Sequence, residues 1–283
     1  MAKSITLFLN FLVVTGFCYC QQTRINSLTC DCYNKKVKDS LIEKYLENKE
    51  MHDYNSTKWQ LYCDSIIAIC PNIAAAYQLK AILFIKYGDY AKAFPLEDKA
   101  VELEPRNFTA YRGFLKCIFT KDYEAAIIDF KNAQILTPNN YEMDHTYFFY
   151  EGLCNLELGN YSMAKENFTQ DVIIESGGSK TNESHIHFNT FLYMGILYYE
   201  MNNNVKAKEN LLKCLAMYKQ LPDANYYLAM IYKRERNSEL RDKYLQIAKQ
   251  SKLQGYGLNE DNVYYSYYPH QITLYEIDKE LQK

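Results

Sequence analysis

The segment AAAYQLKAILFIKYGDYAKAFPLEDKAVELEP, which runs from Ala74 to Pro105, decides the fold of this chain. It holds two stretches of apolar residues at helical spacing, with a turn at Gly88–Tyr90 between them and a closing proline. Small residues stand at Ala81 in the first stretch and at Ala93 in the second, where they allow two helices to approach closely. We therefore expect a helix-turn-helix unit in which the two helices pack against each other.

The same pattern returns four more times along the chain. The residues equivalent to Ala93 are Ala126, Ala164, Ala207 and Arg241, so the successive spacings are 33, 38, 43 and 34 residues. Self-similarity at such a period is the signature of a repeat architecture, in which each unit buries its apolar face against its neighbours. The sequence therefore predicts about five stacked units.

This pattern resembles the tetratricopeptide repeat, a helix-turn-helix unit of 34 residues. The resemblance covers residues 73–250 and implies an all-α, right-handed solenoid with a cap at each end. The sequence departs from the family pattern at three places. Leu115 stands where a small residue is usual, and insertions near Tyr141–Asp144 and Glu175–His185 lengthen two of the connections.

The regions on either side of the repeats are expected to close the solenoid. Residues 21–72 are expected to form a cysteine-rich cap or a degenerate repeat, with helices at 39–50 and 57–69. Residues 251–283 contain a tyrosine-rich stretch followed by a predicted helix from His270 to Leu281. This tail has two interpretations: it covers the exposed end of the last repeat, as an open solenoid requires, or it lies in the concave groove as a built-in ligand.

The first twenty residues have the pattern of a secretory signal peptide. Lys3 precedes a short apolar run, Ile5–Phe17, which is too short for a membrane-spanning helix. We expect an exported protein without a transmembrane span, located in the periplasm, at the cell envelope or outside the cell. Cleavage after Cys20 and cleavage after Gly16 both fit. A lipid anchor on Cys18 or Cys20 is the weaker alternative because an aromatic residue precedes each cysteine.

Export favours disulfides among the cysteines of the N-terminal region. The candidates are Cys30, Cys32, Cys63 and Cys70. Cys30 and Cys32 are poorly placed to bridge each other, so each is expected to pair with Cys63 or Cys70. A zinc site made of the four thiolates is the alternative, but their spacing fits no common zinc ribbon.

The resemblance to the tetratricopeptide repeat also implies a binding surface, because the first helix of each unit lines a concave groove in that family. Carried over position by position, the groove residues are Gln78, Lys86, Arg112, Lys116, Phe119, Phe149, Glu157, Asn189, Tyr199, Tyr226, Lys233 and Arg234. A groove with an apolar floor and charges at both ends suits an amphipathic helix or an extended peptide. We therefore expect a protein or peptide partner.

Composition gives little support to other classes of function. The formal net charge is only -2, so the whole chain does not favour nucleic acid. No nucleophile elbow, zinc-protease or phosphate-loop motif is present. The sequence accordingly predicts no catalytic residues, no metal and no cofactor. The expected function is that of an exported binding scaffold, either an adaptor in an envelope complex or a neutralising partner. Neither the partner nor the oligomeric state is indicated.

A function from a different class is a cell-envelope enzyme or a glycan-processing accessory protein. Its site would combine His185 and His187, in the second insertion, with Tyr264 and Tyr265 of the tail.

Overall fold

The computed structural model describes residues 31–47, 53–178, 183–258 and 266–283. Within these ranges the chain is an α-helical solenoid, as the sequence predicts, with thirteen α-helices and a two-stranded hairpin. The expected signal peptide, residues 1–20, lies outside the described residues, and so does Cys30.

Five helix pairs form the solenoid. They are α3 (Ala74–Lys86) with α4 (Tyr90–Leu103), α5 (Pro105–Leu115) with α6 (Tyr123–Leu136), α7 (Tyr147–Glu157) with α8 (Tyr161–Glu175), α9 (Phe188–Glu200) with α10 (Asn204–Met217), and α11 (Pro222–Arg234) with α12 (Ser238–Leu253). Each first helix packs against its own second helix and, from α5 onward, also against the second helix of the preceding pair. The apolar core therefore runs along the whole stack.

Every first helix is followed, before the second helix begins, by a residue with a positive φ angle. These residues are Gly88, Lys121, Gly159, Asn202 and Arg236. They recur at the same intervals as the small residues of the second helices, so they mark the same turn in all five repeats. A left-handed residue at this position ends a helix and reverses the chain within a few residues.

Small residues let the two helices of a repeat cross closely. A Cβ atom on Gly152 would lie 2.6 Å from Cε1 of Phe168, and one on Gly195 would lie 2.6 Å from Cγ of Leu211. Both distances are shorter than any carbon–carbon contact allows, so these two crossings accept only glycine without rearrangement.

The second repeat differs from the others by one residue, and this corrects the expectation at Leu115. A π-helical turn, Lys116–Thr120, follows α5 and holds an extra residue. Gly113 therefore stands 13 positions before Ala126, whereas Gly152 stands 12 before Ala164. Gly113 occupies the crossing, where its added Cβ would lie 3.1 Å from Cβ of Asp129.

The two insertions have different structures. The first is a short antiparallel hairpin of β1 (Tyr141–Glu142) and β2 (His145–Thr146), placed between α6 and α7. The second connects α8 to α9, and its described part contains a 3₁₀ turn at Glu183–His185. Both precede a first helix, so they lie at the start of the third and fourth repeats.

Two helices precede the solenoid. They are α1 (Lys35–Tyr45) and α2 (Thr57–Ile69). Helix α1 begins four residues before the predicted start because the side chain of Asn34 caps it, accepting a hydrogen bond from the amide of Lys36. Residues of these helices and of α3 form a second, smaller apolar cluster around Ile66 and Ile73.

A disulfide joins Cys32 to Cys70, with their Cα atoms 5.4 Å apart. It ties the segment before α1 to the end of α2. Cys63, also a candidate for bridging, is a buried thiol, and burial raises its pKa to about 12. Its expected partnership with Cys30 involves a residue outside the described ranges and stays a prediction.

We expect reduction of the Cys32–Cys70 bridge to destabilise the N-terminal helices by about 2 to 4 kcal/mol, since the bridge closes a long loop in the unfolded chain. Thermal melting followed by circular dichroism, with and without dithiothreitol, measures this. The double variant Cys32→Ser/Cys70→Ser is the control and should melt like the reduced protein in both conditions. Identical melting of oxidised and reduced wild type would contradict a stabilising bridge.

Candidate functional site

The two helices of each repeat differ in how much of their surface is buried. The second helices α6, α8 and α10 each bury one stripe, such as Ala164, Asn167, Phe168 and Asp171 on α8. By contrast, nine of the eleven residues of α7 and nine of the thirteen in both α9 and α11 are buried. A helix that is buried all round has a covering on its outer face as well as on its inner face. In this chain much of that covering is the tail.

Residues 266–273, here called the C-terminal segment, run along the first helices from the second repeat to the fifth. The segment begins at the π turn of the second repeat. The hydroxyl of Ser266 donates to the carbonyl of Ile118 at 3.0 Å, and Nζ of Lys121 donates to the carbonyl of Tyr267. These contacts join residues almost 150 positions apart in the sequence.

The middle of the C-terminal segment lies across the third, fourth and fifth repeats. The hydroxyl of Tyr193, on α9, donates to the carbonyl of Pro269 at 2.9 Å. The hydroxyl of Tyr227, on α11, donates to the carbonyl of His270 at 3.3 Å. Nε2 of His270 also lies 3.5 Å from Oε1 of Glu157, at the end of α7.

The C-terminal segment ends at α11, where the amide of Ile272 donates to Oδ1 of Asp223 at 2.7 Å. Asp223 is only 1% exposed, and burial raises the pKa of its carboxyl to about 6 although this hydrogen bond opposes the rise. Thr273 then caps α13 (Leu274–Leu281), which starts four residues later than the helix predicted at His270. Helix α13 packs against α12 and completes the C-terminal end of the solenoid.

The two parts of the tail make different contacts. Helix α13 covers the last repeat, and an ion pair between Lys249 and Asp278, at 2.8 Å, joins it to α12. The C-terminal segment lies against the first helices. The resemblance to the tetratricopeptide repeat implies that these helices line the groove. Four of its main-chain groups are bound by side chains of Lys121, Tyr193, Asp223 and Tyr227. Because these bonds go to the main chain, they hold an extended peptide largely independently of its sequence.

Two predicted groove residues of the second repeat, Arg112 and Lys116, form ion pairs within the protein. The guanidinium of Arg112 binds both carboxylate oxygens of Asp129, on α6, at 2.6 and 2.9 Å, and it also binds Asp98 at 2.7 Å. Lys116 binds the same Asp129 at 2.7 Å. The residue at the helix crossing is Gly113, two positions before Leu115, so groove positions counted from Leu115 have the wrong helical phase.

Three other predicted groove residues are buried. Phe119 is 9% exposed and packs against Phe114. Phe149 is fully buried among aromatic rings, including that of Phe168, because it stands three positions before Gly152 and shares the face that crosses α8. Asn189 is 5% exposed. These residues belong to the interior and are not available to a partner.

Four of the five predicted groove residues of the last two repeats lie close together, and the fifth, Asn189, does not. Tyr199, Tyr226, Lys233 and Arg234 line an open cleft of about 600 Å³ beside α13. The guanidinium of Arg234 lies over the ring of Tyr199 at 3.5 Å, and Lys233 forms an ion pair with Glu280 of α13. We call these four residues the open patch.

The remaining predicted residues lie elsewhere along the first helices. Gln78 and Lys86 are half-buried on α3, in the first repeat. Glu157 is half-buried at the end of α7, where it lies beside His270.

Sequence reasoning missed four residues that bind the main chain of the C-terminal segment, namely Lys121, Tyr193, Asp223 and Tyr227. Lys121 carries a signal, since it is a lysine at a turn position where two other repeats have glycine. Asp223 is also marked, because it is an acidic residue in the first turn of a helix whose other residues are mostly buried. Nothing in the pattern marks Tyr193 and Tyr227 among the many tyrosines.

Of the four residues of the alternative enzyme site, the structure describes only His185 and His187. The ring nitrogen Nδ1 of His187 accepts a hydrogen bond from the amide of Asn189 and so caps α9. Tyr264 and Tyr265 lie outside the described residues. Separately, none of the helices in the described ranges is long and apolar enough to cross a membrane.

Comparison with known proteins identifies similar folds and no close relative. No family profile and no curated protein matches the sequence. Among solved structures, PilW, a type IV pilus biogenesis factor, matches 78% of this chain and 94% of its own, with a TM-score of 0.59 and 14% identity.

Two other solved structures are similar. PilF of Pseudomonas aeruginosa matches 75% of this chain and 90% of its own, with a TM-score of 0.56 and 19% identity. YrrB, a repeat protein with an unusual peptide-binding site, matches 68% of this chain and 92% of its own, with a TM-score of 0.50 and 16% identity. At these identities the likeness is one of fold.

Proposed function

Because the chain folds as a tetratricopeptide-repeat solenoid, we propose that it is an exported scaffold that binds an extended segment of a protein partner along its first helices. The observation that carries the proposal is the way these helices already hold residues 266–273. Four side chains from three repeats bind main-chain groups of this segment. A surface that binds its own chain in this manner has the chemistry to bind another extended peptide.

The open patch is the part of this surface that the C-terminal segment leaves accessible. Tyr199 and Tyr226 offer rigid aromatic area at a small entropic cost, and Arg234 offers a planar cation to a carboxylate. A partner would make its first contacts here. It would then extend along the first helices, either beside the C-terminal segment or in its place.

Two observations support export. The Cys32–Cys70 disulfide is typical of proteins that fold outside the reducing cytoplasm. The first twenty residues have the pattern of a signal peptide. Within this proposal the protein serves as an adaptor in an envelope or surface complex, and the neutralising partner of a secreted protein is the second candidate. The fold does not decide between the two roles.

Selection from a phage-displayed library of random peptides tests the proposal, with residues 21–283 as the bait. We expect the selected peptides to lose at least about tenfold in affinity when Tyr226→Ala or Arg234→Ala is introduced, as for anchor residues of an interface. Val205→Ala is the matched control, since Val205 is 75% exposed on a second helix and should not affect binding.

A synthetic peptide with the sequence of residues 266–273 serves as a competitor in the same assay. The proposal expects this peptide to lower the binding of the selected peptides. Peptides that bind wild type, Tyr226→Ala and Arg234→Ala with equal affinity would contradict a role for this surface, as would a selection that yields no binding peptide.

A further inference from the structure

A cavity of about 630 Å³ lies between the third and fourth repeats, with α8 and α10 as its walls and α9 as its floor. The longest spacing in the repeat pattern, 43 residues, falls between these two repeats. Helix α9 also packs less extensively on α8 than α5, α7 and α11 pack on the second helices before them. A volume of this size is within the range of sites for small molecules. We call this cavity the α8–α10 cleft.

The lining of the α8–α10 cleft is mostly apolar. Its floor contains Phe191 and Tyr198, which are largely buried, and Met194, which is half-buried. On the wall formed by α8, Val172 is half-buried and Ile173 is 46% exposed. Apolar side chains that stay open to solvent together in one place are typical of a surface that binds an apolar group.

Three polar side chains in the lining do not change this apolar character. The side chains of Thr169, Ser176 and Asn210 donate hydrogen bonds of 2.7, 3.3 and 2.8 Å to main-chain carbonyls three or four residues earlier in the chain. Their donors are therefore already satisfied within the protein. A ligand in the cleft does not have to supply hydrogen bonds to them, so an apolar body fits against these walls.

The charged groups of the lining are two lysines and one glutamate, all on α10. Nζ of Lys206 lies 5.4 Å from the ring centroid of Tyr198, and Nζ of Lys213 lies 5.6 Å from that of Phe191. Because both rings belong to the floor, these ammonium groups lie beside the cleft. Among the described residues of the lining, Glu209 is the only acidic one, and it pairs with Lys213 at 3.4 Å. The lining therefore keeps one net positive charge, at Lys206.

The place of Lys206 on its helix also favours an anion. Lys206 is the third residue of α10, whose first turn holds no acidic residue. The positive end of the helix dipole lies at this turn, where a cation is unfavourable and an anion is favourable. An anion beside Lys206 is attracted by both the ammonium group and the dipole.

We propose that the α8–α10 cleft binds a linear amphiphile with one carboxylate, that is, a free fatty acid. The hydrocarbon chain lies against Ile173, Met194 and the aromatic rings of the floor, and the carboxylate binds the ammonium group of Lys206. The wall from Thr169 to Ser176 is about 10 Å long at the rise of an α-helix, which suits a chain of medium length. The cleft shares no described residue with the open patch, so this site is distinct from the surface proposed above for a peptide partner.

Titration calorimetry of residues 21–283 with decanoate tests the proposal. Decyltrimethylammonium, a cation with the same chain, and acetate, a carboxylate without the chain, are the comparison ligands. We expect decanoate to bind at least about tenfold more tightly than either, because it alone matches both the apolar floor and the charge of Lys206. Equal affinities for decanoate and decyltrimethylammonium would overturn the proposal.

A charge reversal tests the role of Lys206. Lys206→Glu should lower decanoate affinity at least about tenfold, and it should still fold because an acidic residue suits the first turn of a helix. Lys243→Glu is the matched control, since Lys243 also lies over a tyrosine ring, that of Tyr244 at 5.8 Å, but on α12. Wild-type affinity in Lys206→Glu would count against a fatty-acid site here.

A second variant tests the apolar wall. Ile173→Asp should lower decanoate affinity at least about tenfold, because it places a charge beside the hydrocarbon chain. Ile135→Asp is the matched control, since Ile135 follows Ala126 by nine residues, as Ile173 follows Ala164, and is 79% exposed on α6. Equal losses of affinity in these two variants would mean that decanoate does not bind in the cleft.

A decanoate analogue with a diazirine at the end of its chain provides a readout that does not depend on the variants. After irradiation, mass spectrometry should find the analogue attached to residues of α8, α9 or α10 that line the cleft. Attachment only to the C-terminal segment or the open patch would contradict the proposal. Cosedimentation of the protein with vesicles of anionic phospholipid, without binding of free decanoate, would also overturn it and would indicate a membrane surface as the ligand.

Discussion

Deletion of residues 266–283 is expected to destabilise the solenoid by about 5 kcal/mol or more. The deleted part includes three buried apolar side chains, Tyr268, Ile272 and Ile277, and each contributes roughly 1.5 to 3 kcal/mol through burial. The deletion also leaves the hydroxyl of Tyr193 and the carboxyl of Asp223 without their partners in the C-terminal segment. Denaturant unfolding and the binding of a hydrophobic dye measure the loss and the exposed apolar surface.

Tyr275→Ala is the control for this deletion, because Tyr275 lies on α13 and is 70% exposed. Its stability should stay within about 0.5 kcal/mol of the wild type, as for most surface substitutions. A deletion variant that unfolds like the wild type and binds no dye would mean that the tail contributes nothing to the fold.

Phe149→Ala is expected to cost about 3 to 5 kcal/mol of stability, since it opens a cavity in an aromatic core. Phe149 is fully buried, and its ring contacts those of Tyr150, Phe168 and Tyr193. The effect should spread to the next repeat, because the phenyl ring packs against α9 as well as against α8 of its own repeat. Denaturant unfolding followed by circular dichroism measures the change.

The neighbouring Phe148 provides a matched control, since it has the same side chain on the same helix and is only half-buried. Phe148→Ala should cost clearly less than Phe149→Ala. Equal losses in the two variants would contradict the orientation of α7 described here. Tyr226→Ala, in the open patch, should also cost less stability than Phe149→Ala, because Tyr226 is only half-buried.

The helical repeat is readable from the sequence because its signals are local. The small residues at the helix crossings and the turn residues recur at fixed positions in each unit, and each depends only on its own helix pair. The bounds of α2, Thr57–Ile69, agree with the helix expected at residues 57–69, and the side chain of Ser56 caps its start.

The groove was harder to predict because it depends on the phase of each first helix. In the second repeat the crossing residue is Gly113 and not Leu115, so positions counted from Leu115 put Arg112 and Lys116 in the groove, whereas both side chains bind Asp129. Phe149 has the same position in its repeat as Tyr226, three residues before the small residue at the crossing, yet it is fully buried among aromatic rings. Tyr226 and Arg234, in the last repeat, line an open cleft.

The path of the tail could not be derived from local pattern at all. Its contacts join Ser266 to Ile118 and Pro269 to Tyr193, across 148 and 76 positions. The sequence of a tyrosine-rich stretch does not specify which of its groups will form a hydrogen bond, or with which distant residue. Only the three-dimensional stacking of the first helices brings these groups together.

Photo-crosslinking tests most directly the claim that the first helices hold an extended segment of this chain. The photoreactive residue p-benzoylphenylalanine replaces Tyr267, which is 47% exposed, and a second protein carries it in place of Tyr275 as the matched control. Mass spectrometry after irradiation should find an intramolecular link from position 267 to the region of Ile118–Lys121, and no such link from position 275. Links from position 267 to α12 alone, or only between separate molecules, would contradict the account.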